Sequence, residues 1–211
     1  MPRKSSEERK KEIWQAAKGV FLEKGYEKAT MEDIIARTSL SKGGMYHYYS
    51  RTKDILFDIL WFHNETYLAI NIEQGIFEKE VTPEEQQELM LDTIVEKMCT
   101  TTPDRKLFAI FMAQMAHDPE MEAVFLKLED YFLKGLCHRL GIQGDPREYP
   151  QLCFISRTIN GFTLFQNLLP HPELLSERRE VVRQLIRQQL QVLFSGLESA
   201  VTTASDERSD L

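Results

Sequence analysis

From Ser6 to about Lys24 the apolar residues Ile13, Ala16, Ala17, Val20 and Phe21 recur at i, i+3, i+4, i+7 and i+8. That period lines one side of an α-helix, whereas a strand would alternate every second residue. It returns along the chain in Ile55, Leu56, Ile59, Leu60 and Phe62, in Leu107, Phe108, Phe111, Met112 and Met115, and in Val124, Phe125, Leu128, Phe132 and Leu136. No segment alternates clearly and no internal repeat is visible. Gly25, Pro83, Pro103, Pro119, the loop around residues 142–150 and Leu169-Pro-His-Pro172 punctuate the stripes. The expectation is an all-α fold of about nine helices.

Net charge decides less than its distribution. The chain carries −7 overall, which by itself disfavours a polyanionic partner. Residues 1–53, however, hold 12 Lys/Arg against 7 Asp/Glu, while residues 54–211 hold 14 against 26. A basic head on an acidic body is what results when one end alone meets a polyanion, although a solvated basic helix surface would look the same. The three cysteines are odd in number and widely spaced, so they are expected as free thiols in a reducing cytosol. The N-terminus lacks the apolar core of a secretory signal, and no apolar stretch is long enough to span a bilayer.

The head has a specific shape. Thr30 precedes a short helix carrying Met31, Ile34 and Ile35, with Asp33 placed to complete a capping box. A turn over residues 38–41 follows, and Ser41 caps a third helix that opens Lys42-Gly43-Gly44 and continues through Tyr46 and His47. Two short helices about a tight turn, inside a three-helix unit, make a helix-turn-helix. Adjacent glycines are poor helix formers, but in the first turn they leave the backbone bare for close approach.

The segments Ile13-Trp-Gln-Ala-Ala17, Phe21-Leu-Glu-Lys-Gly-Tyr26, Ala29-Thr-Met-Glu-Asp-Ile34, Leu40-Ser-Lys-Gly-Gly-Met-Tyr-His-Tyr-Tyr49 and Lys53-Asp-Ile-Leu56, in that order, resemble the tetracycline-repressor (TetR) family of regulators. The resemblance covers about the first quarter of the chain. It implies a three-helix DNA-binding head over residues 1–52 and a larger helical ligand-sensing and dimerisation domain over 53–201, with a polar, frayed tail over 202–211. It also implies DNA contacts from Thr30, Ser41, Lys42, Gly43, Gly44, Tyr46, His47 and Lys53. Hydroxyls at helix N-termini would meet phosphate, and the start of the third helix would face base edges. Two positions depart from the family pattern. Ser39 stands where a turn glycine is usual, and Lys53 follows the aromatic at Tyr49 by four residues, not three.

The body is read from its apolar residues. Trp61, Phe62, Phe108, Phe111, Met112, Met115 and Phe154 are candidates to line a cavity for a small apolar or aromatic ligand, or simply to form core. Residues 150–168 and 174–198 carry stripes broader than one packed face needs. In the resembling family the matching helices form a four-helix dimer bundle, which implies a homodimer interface through Ile155, Ile159, Phe162, Leu185, Leu190 and Leu193. No nucleophile elbow, phosphate-binding loop, zinc-protease motif or dinucleotide turn occurs, so neither an enzyme nor a cofactor is expected. His117, Asp118 and Glu122 have a spacing a metal would tolerate, but the Asp-Pro helix break accounts for the first two, and no metal is expected. The expected function is a ligand-responsive regulator bound to a palindromic duplex, most simply a repressor. The alternative is a helical interaction module that keeps the head without binding DNA.

Overall fold

The computed structural model describes residues 5–73, 82–140, 142–168 and 178–209. Among these the helices are α1 (Ser6–Lys24), α2 (Met31–Ile35), α3 (Lys42–Tyr48), α4 (Thr52–Glu73), α5 (Pro83–Cys99), α6 (Pro103–Met115), α7 (Pro119–Leu140), α8 (Pro150–Leu168) and α9 (Arg179–Ser209). A single 3₁₀ turn, Pro146–Glu148, precedes α8, and no strand occurs among the described residues. The fold is all-α.

The helix starts are built from local chemistry. Ser5, Thr30 and Thr82 each accept a hydrogen bond from the backbone N–H three residues on, and the Glu8, Asp33 and Glu85 carboxylates accept one from the backbone N–H of the cap residue. Each box satisfies two backbone donors that a helix start would otherwise leave bare. Pro83 and Pro103 open their helices where a missing N–H costs nothing. Gly25 ends α1 with φ at 78°, a region that favours glycine.

The chain divides into two compact units. The first takes Met1–Tyr67 with Thr102–Phe125, and the second takes Leu68–Thr101 with Leu126–Leu211. In the first, α1 packs on α2 and on α6, burying Ile13, Ala17, Val20, Phe21, Ile34, Met45, Ile55, Leu56, Leu107 and Phe111 completely or nearly so. The α1 residues of that set are those whose period announced the helix. The boundary expected after residue 52 is not that of the packing unit, which gathers the head, most of α4, all of α6 and the start of α7.

In the second unit α5 packs on α8 and α9, and α8 on α9. Its core joins Leu91, Val95 and Met98 of α5 to Leu152, Ile155 and Ile159 of α8 and to Val182, Ile186, Leu190 and Leu193 of α9. Ile155, Ile159, Leu190 and Leu193, expected at a subunit interface, are thus 2–4% exposed inside the chain's own core. Phe162 packs against that core, and only Leu185, at 55%, faces outward. The reason is that α8 and α9 each carry two apolar faces, and the breadth of a stripe does not say which one is turned inward.

Cys99, Cys137 and Cys153 are free thiols. α9 runs to Ser209 and so includes residues 202–209 of the expected tail; residues 210–211, like the Leu169–Pro172 break, lie outside the described residues. No described helix is long and apolar enough to cross a membrane.

Candidate nucleic-acid interface

The α2–α3 turn is held from α1. Glu12 accepts the Ser39 backbone N–H at 2.6 Å, and Arg9 donates to the Ser39 hydroxyl at 2.7 Å while pairing with Glu12 at 3.0 Å. Among the described residues no residue other than glycine has positive φ, so this turn needs none of glycine's freedom at position 39. Leu40 is half-buried beneath it and the Thr38 hydroxyl bonds back to the Ile35 carbonyl.

Helix α3 begins at Ser41, whose hydroxyl accepts the Gly44 N–H at 3.2 Å. Its single fully buried residue is Met45, which anchors it to the head. The other side is bare: Ser41, Lys42, Gly43, Tyr46 and His47 are exposed. The two glycines differ. A Cβ at Gly44 would stand 3.3 Å from the Ser41 hydroxyl and 3.4 Å from Leu40, whereas one at Gly43 would meet nothing within 4 Å. The protomer's own side chains thus border position 44 and leave position 43 open.

Lys42 stands at the first position of α3 with its ammonium 3.1 Å from Glu32 of α2 and 5.9 Å from the centre of the Tyr46 ring. The lysine hydrogen bond holds the Glu32 carboxyl below its ordinary range. Thr30 is exposed beside them at the start of α2. Thr30, Ser41, Lys42, Gly43, Tyr46 and His47 thus share the exposed surface of the α2–α3 pair.

Lys53 does not join them. Its side chain is 19% exposed, and its ammonium pairs with Asp118 and, at 3.2 Å, with Glu120 at the start of α7. Arg51 also pairs with Glu120, at 2.9 Å, and Lys18 of α1 meets Asp104 in the first turn of α6 at 2.5 Å. The starts of α6 and α7 are therefore both tied to the head by ion pairs. The acidic partners lie 65 and more residues away in sequence, which is why a local reading assigns Lys53 to phosphate.

A buried polar hub fixes α3 to α4. The Tyr49 hydroxyl accepts from Trp14 Nε1 at 2.8 Å and donates to Asp58 at 2.6 Å, with Tyr49 6% exposed. Burial, and then the Asp58 hydrogen bond, push the phenol well above its ordinary range, so it stays a donor. Tyr49→Phe keeps the ring but removes the hydroxyl that joins Trp14 to Asp58, while Asp58 keeps its Lys10 partner at 3.4 Å. It is expected to cost about 0.5–1.5 kcal/mol of head stability in a urea titration; an unchanged midpoint would show the hub to be idle.

The candidates for ligand contact fall in different surroundings. Phe111 is fully buried, Met112 nearly so, and Phe108 and Met115 partly. Phe108 lies 6.0 Å from Phe111 and stacks on Phe125 at 6.4 Å, and Phe57 meets Phe111 edge-on at 6.3 Å. Phe57 and Phe125 complete this cluster; the sequence places Phe125 in the stripe of its helix, whereas nothing in it singles out Phe57. Trp61 and Phe62 are exposed on α4, the former bonded to Glu65 and the latter tilted against Trp14 at 5.1 Å. Phe154 belongs to the other unit and is 53% exposed on α8. The seven are thus not one lining.

Residues 13–59 match the family described as bacterial regulatory proteins, tetR family. A relative from Bacillus subtilis (strain 168), described as the uncharacterized HTH-type transcriptional regulator YfiR, is 43% identical over 49 residues, which are 23% of this chain and 24% of that relative. Among solved structures, GusR of Salmonella enterica superposes over 90% of this chain and 97% of its own, with a TM-score of 0.69 at 16% identity. A TetR-family transcriptional regulator from Mesorhizobium loti superposes over 91% and 98%, with a TM-score of 0.66 at 16% identity. The sequence match is confined to the head, while the likeness of fold extends through the body.

Proposed function

We propose, for a chain that belongs to the tetR family of bacterial regulatory proteins, a ligand-responsive repressor that binds a palindromic operator as a homodimer. The observation that carries this reading is the bare face of α3. Gly43 has open space above it and is flanked by exposed Lys42, Tyr46 and His47, with the Thr30 and Ser41 hydroxyls at the two helix starts. A helix of this kind enters the major groove with its N-terminal residues on base edges, and hydroxyls and backbone N–H groups at helix starts take phosphates. Lys53 is left out of the contact set and acts within the protomer.

Dimerisation is supported by the outward faces of α8 and α9. Phe154, Phe165 and Leu168 are 41–57% exposed, and with Thr158 and Gly161 they repeat at alternating steps of four and three. Val181, Leu185 and Val192 stand on α9 at steps of four and seven, at 51–55% exposure. That is the spacing of a helix–helix seam. A Cβ at Gly161 would meet nothing within the protomer, which suits a close crossing with a second copy. Two heads so joined would enter successive major grooves about 34–36 Å apart or a multiple of it.

For release, the Phe57–Phe108–Phe111–Phe125 cluster favours an apolar or aromatic effector acting at α6. Because Lys18, Arg51 and Lys53 tie the start of α6 and the start of α7 to the head, a shift there reaches α1 and α4. The effector moves the equilibrium only by its differential affinity for the two states.

Selection of bound duplexes from random DNA at two salt concentrations tests the assignment. The expected product is a palindrome whose log affinity falls linearly with log salt. A dimer that enriches no duplex would leave the interaction-module reading in its place.

A further inference from the structure

The Lys42–Glu32 pair stands on the surface assigned to DNA, and half of it has the wrong sign for that task. Both side chains are open to solvent, at 70% and 63%, with Nζ and Oε1 3.1 Å apart. Exposed pairs of this kind add little to folding, and the Thr30–Asp33 capping box holds the start of α2 without Glu32. Toward a duplex backbone, however, Glu32 matters. It cancels the counterion release Lys42 would otherwise contribute, and it repels phosphate. A carboxylate at this place weakens binding to every duplex except one that offers it a hydrogen-bond donor.

We propose that Lys42 and Glu32 together read one G·C base pair in each half-site, Lys42 donating to guanine O6 and N7 and Glu32 accepting from cytosine N4. This rests on the DNA-binding reading above and names its specificity element. The major groove offers amino donors at cytosine N4 and adenine N6 only. In a G·C pair the O6 acceptor and N4 donor are hydrogen-bonded neighbours about 3 Å apart, which matches the separation of the lysine nitrogen and carboxylate oxygen. Guanine N7 lies beside O6 and gives the ammonium a second acceptor. In an A·T pair thymine presents one acceptor flanked by its methyl group, so the lysine loses that second bond.

The experiment is parallel selection from random duplexes with the wild-type chain and Glu32→Ala, followed by affinity for the selected site and for a scrambled duplex at several salt concentrations. The wild type is expected to demand G·C at one position per half-site. Glu32→Ala is expected to lower that preference from about tenfold or more to less than about threefold. It should also bind scrambled DNA more tightly, with a salt slope steeper by about one per protomer. A preference unchanged in Glu32→Ala, or a loss that falls on an A·T position, overturns the proposal while leaving the regulator reading intact. If the wild-type chain selects no duplex, the regulator reading fails and this one with it.

Discussion

Phe165→Glu is expected to leave the chain folded, to convert it to a monomer in sedimentation, and to weaken binding to the selected palindrome by about 100-fold or more. Phe165 is 57% exposed and lies on the side of α8 away from Ile155 and Ile159, so a carboxylate there meets water in the free protomer. In a dimer it would be desolvated in an apolar seam without a partner, which a buried charge does not tolerate. The loss of affinity follows from the loss of linkage: two joined heads gain about 10²–10⁴ over one through effective concentration. Phe162→Glu would not separate the two effects. Phe162 packs against the core of its own protomer, and that variant would unfold the body together with any interface. A Phe165→Glu chain that still sediments as a dimer would move the interface away from this face.

Gly43→Ala is expected to move stability and binding in opposite directions. Gly43 lies in the first turn of α3, and a methyl group added there touches nothing. Glycine disfavours a helix by up to about 1 kcal/mol relative to alanine, so the variant should be modestly more stable in urea. Against the duplex the same methyl group stands where the backbone must come close. Affinity should drop about tenfold, equivalent to about 1.4 kcal/mol, and considerably more for Gly43→Leu. Gly44→Ala is the internal control. Its methyl group would stand 3.3 Å from the Ser41 hydroxyl and 3.4 Å from Leu40, against the protomer's own side chains and not in open space, so its effect on DNA affinity should be smaller than that of Gly43→Ala. Equal affinity of wild type and Gly43→Leu would remove α3 from the interface.

What could be read beforehand was local. The α1 stripe, the Thr30–Asp33 box and the Ser41 cap are each decided within four residues, and the structure has all three. What could not be read was decided by partners far along the chain. Ser39 takes the place of a turn glycine because Glu12 and Arg9, 27 and 30 residues earlier, hold its backbone and hydroxyl. Lys53 is drawn to acidic groups at the start of α7 instead of facing outward. On α8 and α9 the period identified the helices but not the inner face, since Phe154 and Ile155 are equally apolar neighbours about 100° apart around the helix, yet one is 53% exposed and the other 4%. The aromatic cluster was half visible: Phe108 and Phe111 share a helix, whereas Phe57 and Phe125 reach them only through the fold.

The most direct measurement is a dimethyl sulfate footprint of the full chain on its selected duplex, because the reagent methylates guanine N7 from the major groove and adenine N3 from the minor groove. If α3 lies in the major groove, guanine N7 should be protected in two symmetric clusters about one helical turn apart or a multiple of it, and Gly43→Leu should abolish both. Protection confined to adenine N3, or a footprint that Gly43→Leu leaves intact, would contradict the claim that α3 is what the protein puts into DNA.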